Sequence, residues 1–137
     1  MKITRAGDYA LKVMAYFASQ EKNKIYMRNE LSEICKIPDS FLGKILQSLA
    51  KNELLVSERG KKGGFKFVKN PEDITIYDII TAVEGEVTIN ECLIDSEFCH
   101  ILNSCNIHSV LNQIRNSFIS ELKKYTLSDI IKVHSNL

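Results

Sequence analysis

The sequence predicts a mostly α-helical fold with one small β-hairpin: a winged helix-turn-helix followed by a long C-terminal dimerisation helix. Three observations predict it. Apolar residues recur at helical spacing through most of the chain. A tip rich in glycine and lysine, Gly60-Lys61-Lys62-Gly63-Gly64, separates two short strand-like runs directly after a helix-turn-helix pattern. Finally, three of the 4 cysteines crowd into a polar stretch just ahead of a long amphipathic helix.

The elements follow in order. Residues 5–19 place Ala6, Tyr9, Ala10, Val13, Met14, Phe17 and Ala18 on one helical face, with Thr4 as N-cap. A second, shorter helix is expected over about 28–34, with Leu31 and Ile34 inward. Pro38 disfavours helical geometry at Ile37, so Asp39 or Ser40 opens the third helix, which runs to about Asn52. Its buried stripe is Phe41, Leu42, Ile45, Leu46 and Leu49, and its other face shows Ser40, Lys44, Gln47 and Lys51. A helix, a short turn and a helix with a polar, basic outer face form a helix-turn-helix pattern. Leu54–Arg59 and Phe65–Val68 then read as the two strands of a wing. Arg59, Lys61 and Lys62 stand together at its tip, where cations meet phosphates or enter a minor groove.

Thr75-Ile76-Tyr77-Asp78 is a capping box opening a helix to about Glu84, with Gly85 beyond its end. Residues 86–106 form a loop, and a long helix follows over about 107–125 with Leu111, Ile114, Phe118, Leu122 and Tyr125 on one side. That stripe is the expected dimer face. Thr126-Leu127-Ser128-Asp129 opens a short terminal helix. The chain therefore divides functionally into a winged helix-turn-helix region, residues 1–70, and a region 71–137 that holds the connector helix, the cysteine loop and the dimerisation helix.

Charge supports that division. Residues 1–70 carry fourteen Lys/Arg against seven Asp/Glu, and residues 71–137 carry four against ten, although the whole chain is only +1. The basic half suits a polyanion such as double-stranded DNA. No apolar run approaches the roughly 18 residues of a spanning helix, and Asp8 and Lys12 interrupt the first apolar stretch, so no membrane is expected and the cytoplasm is the expected compartment. No nucleophile–base pair, phosphate loop or paired carboxylates stand out, so an enzyme is not expected.

The cysteine loop points to a metal. Cys92, Cys99 and Cys105 are followed by His108, with gaps of six, five and two residues. Thiolate and imidazole are preferred by iron–sulfur clusters and by zinc, and cytoplasmic cysteines serve metal or redox sensing more often than structural disulfides. No C-x-x-C pair is present, which disfavours a zinc ribbon. Cys35 stands apart and reads as core packing.

These motifs together resemble the family of winged-helix regulators that includes the iron–sulfur cluster regulator (IscR) and the nitric-oxide-sensitive repressor (NsrR). The resemblance runs through I-T-R-A-G-D-Y-A-L-K at the start, F-L-G-K-I-L-Q-S-L in the third helix and S-E-R-G-K-K-G-G-F in the wing. It continues through D-I-T-I-Y-D-I-I, the three cysteines and Y-T-L-S-D-I-I. It implies a DNA-binding transcriptional repressor, a cytoplasmic homodimer on a pseudo-palindromic operator. Its DNA affinity would be set by an iron–sulfur cluster (2Fe–2S in preference to 4Fe–4S) that senses redox state, nitric oxide or cluster supply.

By that resemblance Cys92, Cys99 and Cys105 are the cluster thiolates, although many members have five residues in the first gap. His108 stands where the cluster regulator has its histidine ligand. Asp8 stands where the nitric-oxide repressor uses a partner carboxylate, and is the alternative fourth ligand. Ser40 matches a DNA contact; Lys44 and Gly43 stand where one member has glutamine and glutamate. Arg28, Ser40, Lys44, Gln47, Arg59, Lys61 and Lys62 are the expected DNA-binding residues. The alternative is a cluster-free or zinc-containing DNA-binding regulator that acts as a thiol switch.

Overall fold

A computed structural model describes residues 2–135. The helices are α1 (Arg5–Ser19), α2 (Arg28–Cys35), α3 (Asp39–Lys51), α4 (Ile76–Glu84), α5 (Asn106–Lys124) and α6 (Leu127–Ser135). Strands β1 (Val56–Glu58) and β2 (Gly64–Lys66) pair antiparallel, with Val56 opposite Lys66, Ser57 opposite Phe65 and Glu58 opposite Gly64. Single 3-10 turns occur at Pro71–Asp73, Glu91–Leu93 and Leu102–Ser104. The fold is the mostly helical winged architecture the sequence predicts, with each element within a few residues of its expected bounds.

The caps act locally as their residue types require. The Thr4 hydroxyl accepts from the Gly7 N–H at 3.3 Å. At α4 the Thr75 hydroxyl accepts from the Asp78 N–H at 3.1 Å, and the Asp78 carboxylate accepts from the Thr75 N–H at 2.8 Å. At α6 the Asp129 carboxylate accepts from both the N–H and the hydroxyl of Thr126, which holds its pKa below the usual value. The starts of α4 and α6 are also tied together: Ile76 N–H donates to Tyr125 O and Leu127 N–H to Ile74 O.

One core serves both halves of the chain. Val13, Met14 and Phe17 of α1 pack with Leu31, with Leu42, Leu46 and Leu49 of α3, and with Ile74, Ile79 and Leu127. Two expected core residues lie outside it. Ile34 and Phe41 are 47% and 43% exposed. Their stripes are wider than the surfaces that cover them. Ile34 borders an apolar groove with Leu11, Ala15 and Ile130, and Phe41 stands edge-on to Tyr9, ring centres 5.9 Å apart. Cys35 packs against the core half-buried, and burial raises its thiol pKa.

The wing is stitched to the body by a contact no local signal announces. Tyr26 and Phe65 exchange two backbone hydrogen bonds of 2.9 Å, so Tyr26 joins β2 through a single isolated bridge. Gly64 permits this approach: a Cβ there would lie 2.3 Å from the Tyr26 carbonyl oxygen.

The long helix α5 contains no buried residue among those described. Its apolar stripe divides. Phe118 and Leu122 turn inward and line a cleft with Ile80 and Val87, whereas Ile107, Val110 and Ile114 are 68%, 54% and 48% exposed. Ile94, Phe98 and Ile101 of the cysteine loop are also exposed.

Candidate nucleic-acid interface and cysteine loop

The candidate DNA face combines α3, the start of α2 and the wing. The pattern that buries Leu42, Ile45, Leu46 and Leu49 leaves Ser40, Lys44, Gln47 and Lys51 outward, and all four are exposed. Arg28, the first residue of α2, reaches across to α3 and donates from Nε to Asp39 Oδ1 at 3.0 Å. Met27, Arg28, Asn29, Gly43, Gln47 and Phe65 surround a hollow of about 450 Å³ between the two helices and the wing.

At the wing tip, Gly60 has φ +108° and its carbonyl accepts from the Gly63 N–H at 3.0 Å. A Cβ on Gly63 would lie 2.4 Å from the Glu58 carbonyl oxygen, so this tight turn needs glycine there too. Arg59, Lys61 and Lys62 are exposed, and no ion pair is found for them among the described residues. Lys66 differs: it pairs with Glu58 at 2.5 Å on the hairpin body. The tip therefore presents three unneutralised cations. Replacing Arg59 by alanine is expected to weaken DNA binding and to lower the slope of log K against log salt by about 0.9, as for one lost phosphate contact. Fluorescence anisotropy titrations across a salt series measure it, and an unchanged slope would place the tip away from DNA.

The cysteine loop is pinned at its entry. Arg115 of α5 donates from Nε to the Val87 carbonyl at 2.6 Å and lies 3.8 Å from Glu86. Cys92 lies in the 3-10 turn that Asn90 caps, Cys99 follows a turn closed by Phe98 N–H to Asp95 O, and Cys105 caps α5. All three are half-buried free thiols. His108 sits one turn into α5 from Cys105, half-buried, and its Nδ1 is buried without a hydrogen-bond partner. Asp8 is instead engaged by Lys12, 2.7 Å away, which raises the lysine pKa. His100 is exposed. Among the described residues no three Cys, His, Asp or Glu side chains stand together as a metal-binding group. The structure thus brings the thiols onto one loop without drawing them to one point.

Sequence reasoning did not find the long-range partners of Asp39, Tyr26, Arg115 and Glu84. The Glu84 carboxylate accepts from the N–H and the hydroxyl of Thr4 at 2.7 and 2.5 Å, joining the end of α4 to the start of α1. Partners 80 positions apart leave no local pattern.

A winged helix-turn-helix with a cationic tip, followed by a cysteine loop and an amphipathic helix, defines a winged-helix transcriptional regulator. The chain belongs to the Rrf2 family, described as an iron-dependent transcriptional regulator, which it matches over residues 3–133. Regulators of this family bind DNA, are typically dimeric and are not enzymes.

Several solved structures share the fold. The global cysteine regulator CymR of B. subtilis is 23% identical with a TM-score of 0.72, covering 97% of this chain and 98% of that one. IscR of T. potens is 23% identical with a TM-score of 0.74, covering 98% and 88%. A Listeria innocua protein described as a transcriptional regulator is 26% identical with a TM-score of 0.75, covering 96% and 87%. No helix among the described residues is long and apolar enough to cross a membrane.

Proposed function

We propose that the chain is a cytoplasmic, homodimeric repressor that binds a pseudo-palindromic operator, and that an iron–sulfur cluster held by Cys92, Cys99, Cys105 and His108 sets its DNA affinity. The observation that carries the cluster is the donor set: three half-buried free thiols on one pinned loop, and, one helical turn beyond Cys105, an imidazole whose Nδ1 is buried and unpartnered. A buried nitrogen without a partner is costly, and a ligand would satisfy it. Asp8 is the weaker candidate because Lys12 already holds its carboxylate. When bound, a cluster supplies chemistry sensitive to oxidants and nitric oxide.

The chain's own residues supply the link to DNA. Arg115 fixes the loop entry to α5, and Glu84 fixes the end of α4 to the N-terminus of α1. Residues 1–70 contact the operator through Arg28, Ser40, Lys44, Gln47, Arg59, Lys61 and Lys62, and residues 71–137 sense and dimerise. The core takes Ile79 of α4 and the leucines of α3 together, and α5 packs on both α4 and the first turn of the cysteine loop, so a change in loop packing reaches α3 through α5 and α4.

A second reading is a thiol switch without a cluster. It is favoured by the separation of the three thiols and by the fold shared with CymR, a cysteine regulator. Anaerobic purification with iron and sulfide analysis decides between them. The first reading expects visible absorbance between about 300 and 500 nm from thiolate-bound iron. It also expects loss of nearly all iron and sulfide in Cys99→Ala, with full retention in Cys35→Ala. Protein free of iron and sulfide that forms a disulfide under mild oxidant would establish the second.

A further inference from the structure

We propose that Arg28 reads a guanine in each operator half-site, and that Gly43 and Asp39 are the residues that aim it. The inference rests on the DNA-binding reading above and deepens it by assigning a base contact to a residue outside α3. The Arg28 side chain lies flat on α3. Its Nε is held by Asp39, and a Cβ at Gly43 would meet its Nη1 at 3.2 Å and its Cδ at 3.4 Å. Glycine at 43 is therefore the seat of the guanidinium. The side chain nevertheless remains 55% exposed, facing the hollow that Gln47 also lines.

Holding Nε leaves the two terminal nitrogens as a planar fork. Guanine is the base whose major-groove edge presents two acceptors, O6 and N7, to such a fork. A phosphate is the poorer target. The Asp39 carboxylate offsets part of the arginine's charge and would repel a phosphate placed beside it. Arg59, Lys61 and Lys62, for which no ion pair is found among the described residues, carry no such handicap. What Asp39 adds is direction: a guanidinium already fixed in place loses little conformational freedom on binding.

The test uses the full chain, both as purified anaerobically and after chelator treatment. Duplexes are selected from a random library. Wild type, Arg28→Lys, Arg28→Ala and Gly43→Ala are then titrated against the selected operator and against versions with each G·C pair exchanged. The expected result is one G·C pair per half-site that wild type distinguishes by about 5- to 150-fold. That discrimination should collapse in Arg28→Lys, which keeps the charge but loses the fork. It should weaken in Gly43→Ala, whose methyl group lifts the flexible end of Arg28 off its seat. An unchanged base pattern, with Arg28→Ala lowering affinity equally on every sequence, would make Arg28 a phosphate contact and overturn the inference. Selection of no duplex by wild type in either form would instead overturn the DNA-binding reading itself.

Discussion

Replacing Ile114 by glutamate is expected to leave a folded monomer whose operator affinity falls by about 10²–10⁴-fold, the loss that follows when two linked half-site contacts become one. Helix α5 has no fully buried residue among those described, and its Ile107, Val110 and Ile114 lie at successive turns of one exposed face. Exposed apolar residues in such a row mark an interaction surface, and a second copy of the chain is the occupant that a two-half-site operator requires. A charge in that row would be buried without a partner in the dimer. Ile114 is the better position than Phe118, because Phe118 faces Ile80 and Val87 and its replacement would damage the protomer as well. Sedimentation equilibrium gives the mass and far-UV circular dichroism the helix content. A variant that remains a tight dimer would move the interface to another surface.

Phe17→Ala is expected to lower stability by about 3–5 kcal/mol, the usual result of emptying a large buried ring position. That is a large share of the total for a domain, about 5–15 kcal/mol. Phe17 is 2% exposed and stands edge-on to Tyr26, ring centres 5.6 Å apart. Tyr26 is the residue whose backbone pairs with Phe65 of the wing. The cavity should therefore loosen the wing as well as the core, and protection of the Tyr26 and Phe65 amides in hydrogen exchange should fall more than the global loss accounts for. Urea unfolding at fixed protein concentration measures the stability change, since dimer formation makes it concentration-dependent. A shift under about 1 kcal/mol would mean that the neighbours collapse into the space.

Much of the candidate site was legible in the sequence because its signals are local. The outer face of α3 follows from helical spacing, the wing tip from glycine and lysine in a short loop, and the cysteine loop from spacing along the chain. The Thr75–Asp78 box and the Thr4 cap involve residues three apart, and the structure contains both. Legibility failed where an apolar stripe met a narrower partner. Ile34 and Phe41 fit their helical faces, yet too little surface lies opposite them to bury either. The α5 stripe divided for the same reason, since α4 covers only part of it.

By itself the sequence determined to within a few residues where the helices lie, that Thr4 and Thr75 cap the first and fourth, and which cations and thiols share a loop. Backbone hydrogen bonds and side-chain periodicity act over a few residues, so the chain writes them in order. Only the tertiary structure decided which cation is held and which is free. Arg28 is pinned by Asp39 and seated on Gly43, Lys66 is paired with Glu58, and no ion pair is found for the wing-tip cations among the described residues. It also decided that Glu84 closes the start of α1 and that Tyr26 joins the wing. Burial and pairing depend on residues far apart in the chain, brought within hydrogen-bond distance when the apolar faces of α1, α3 and α4 pack together.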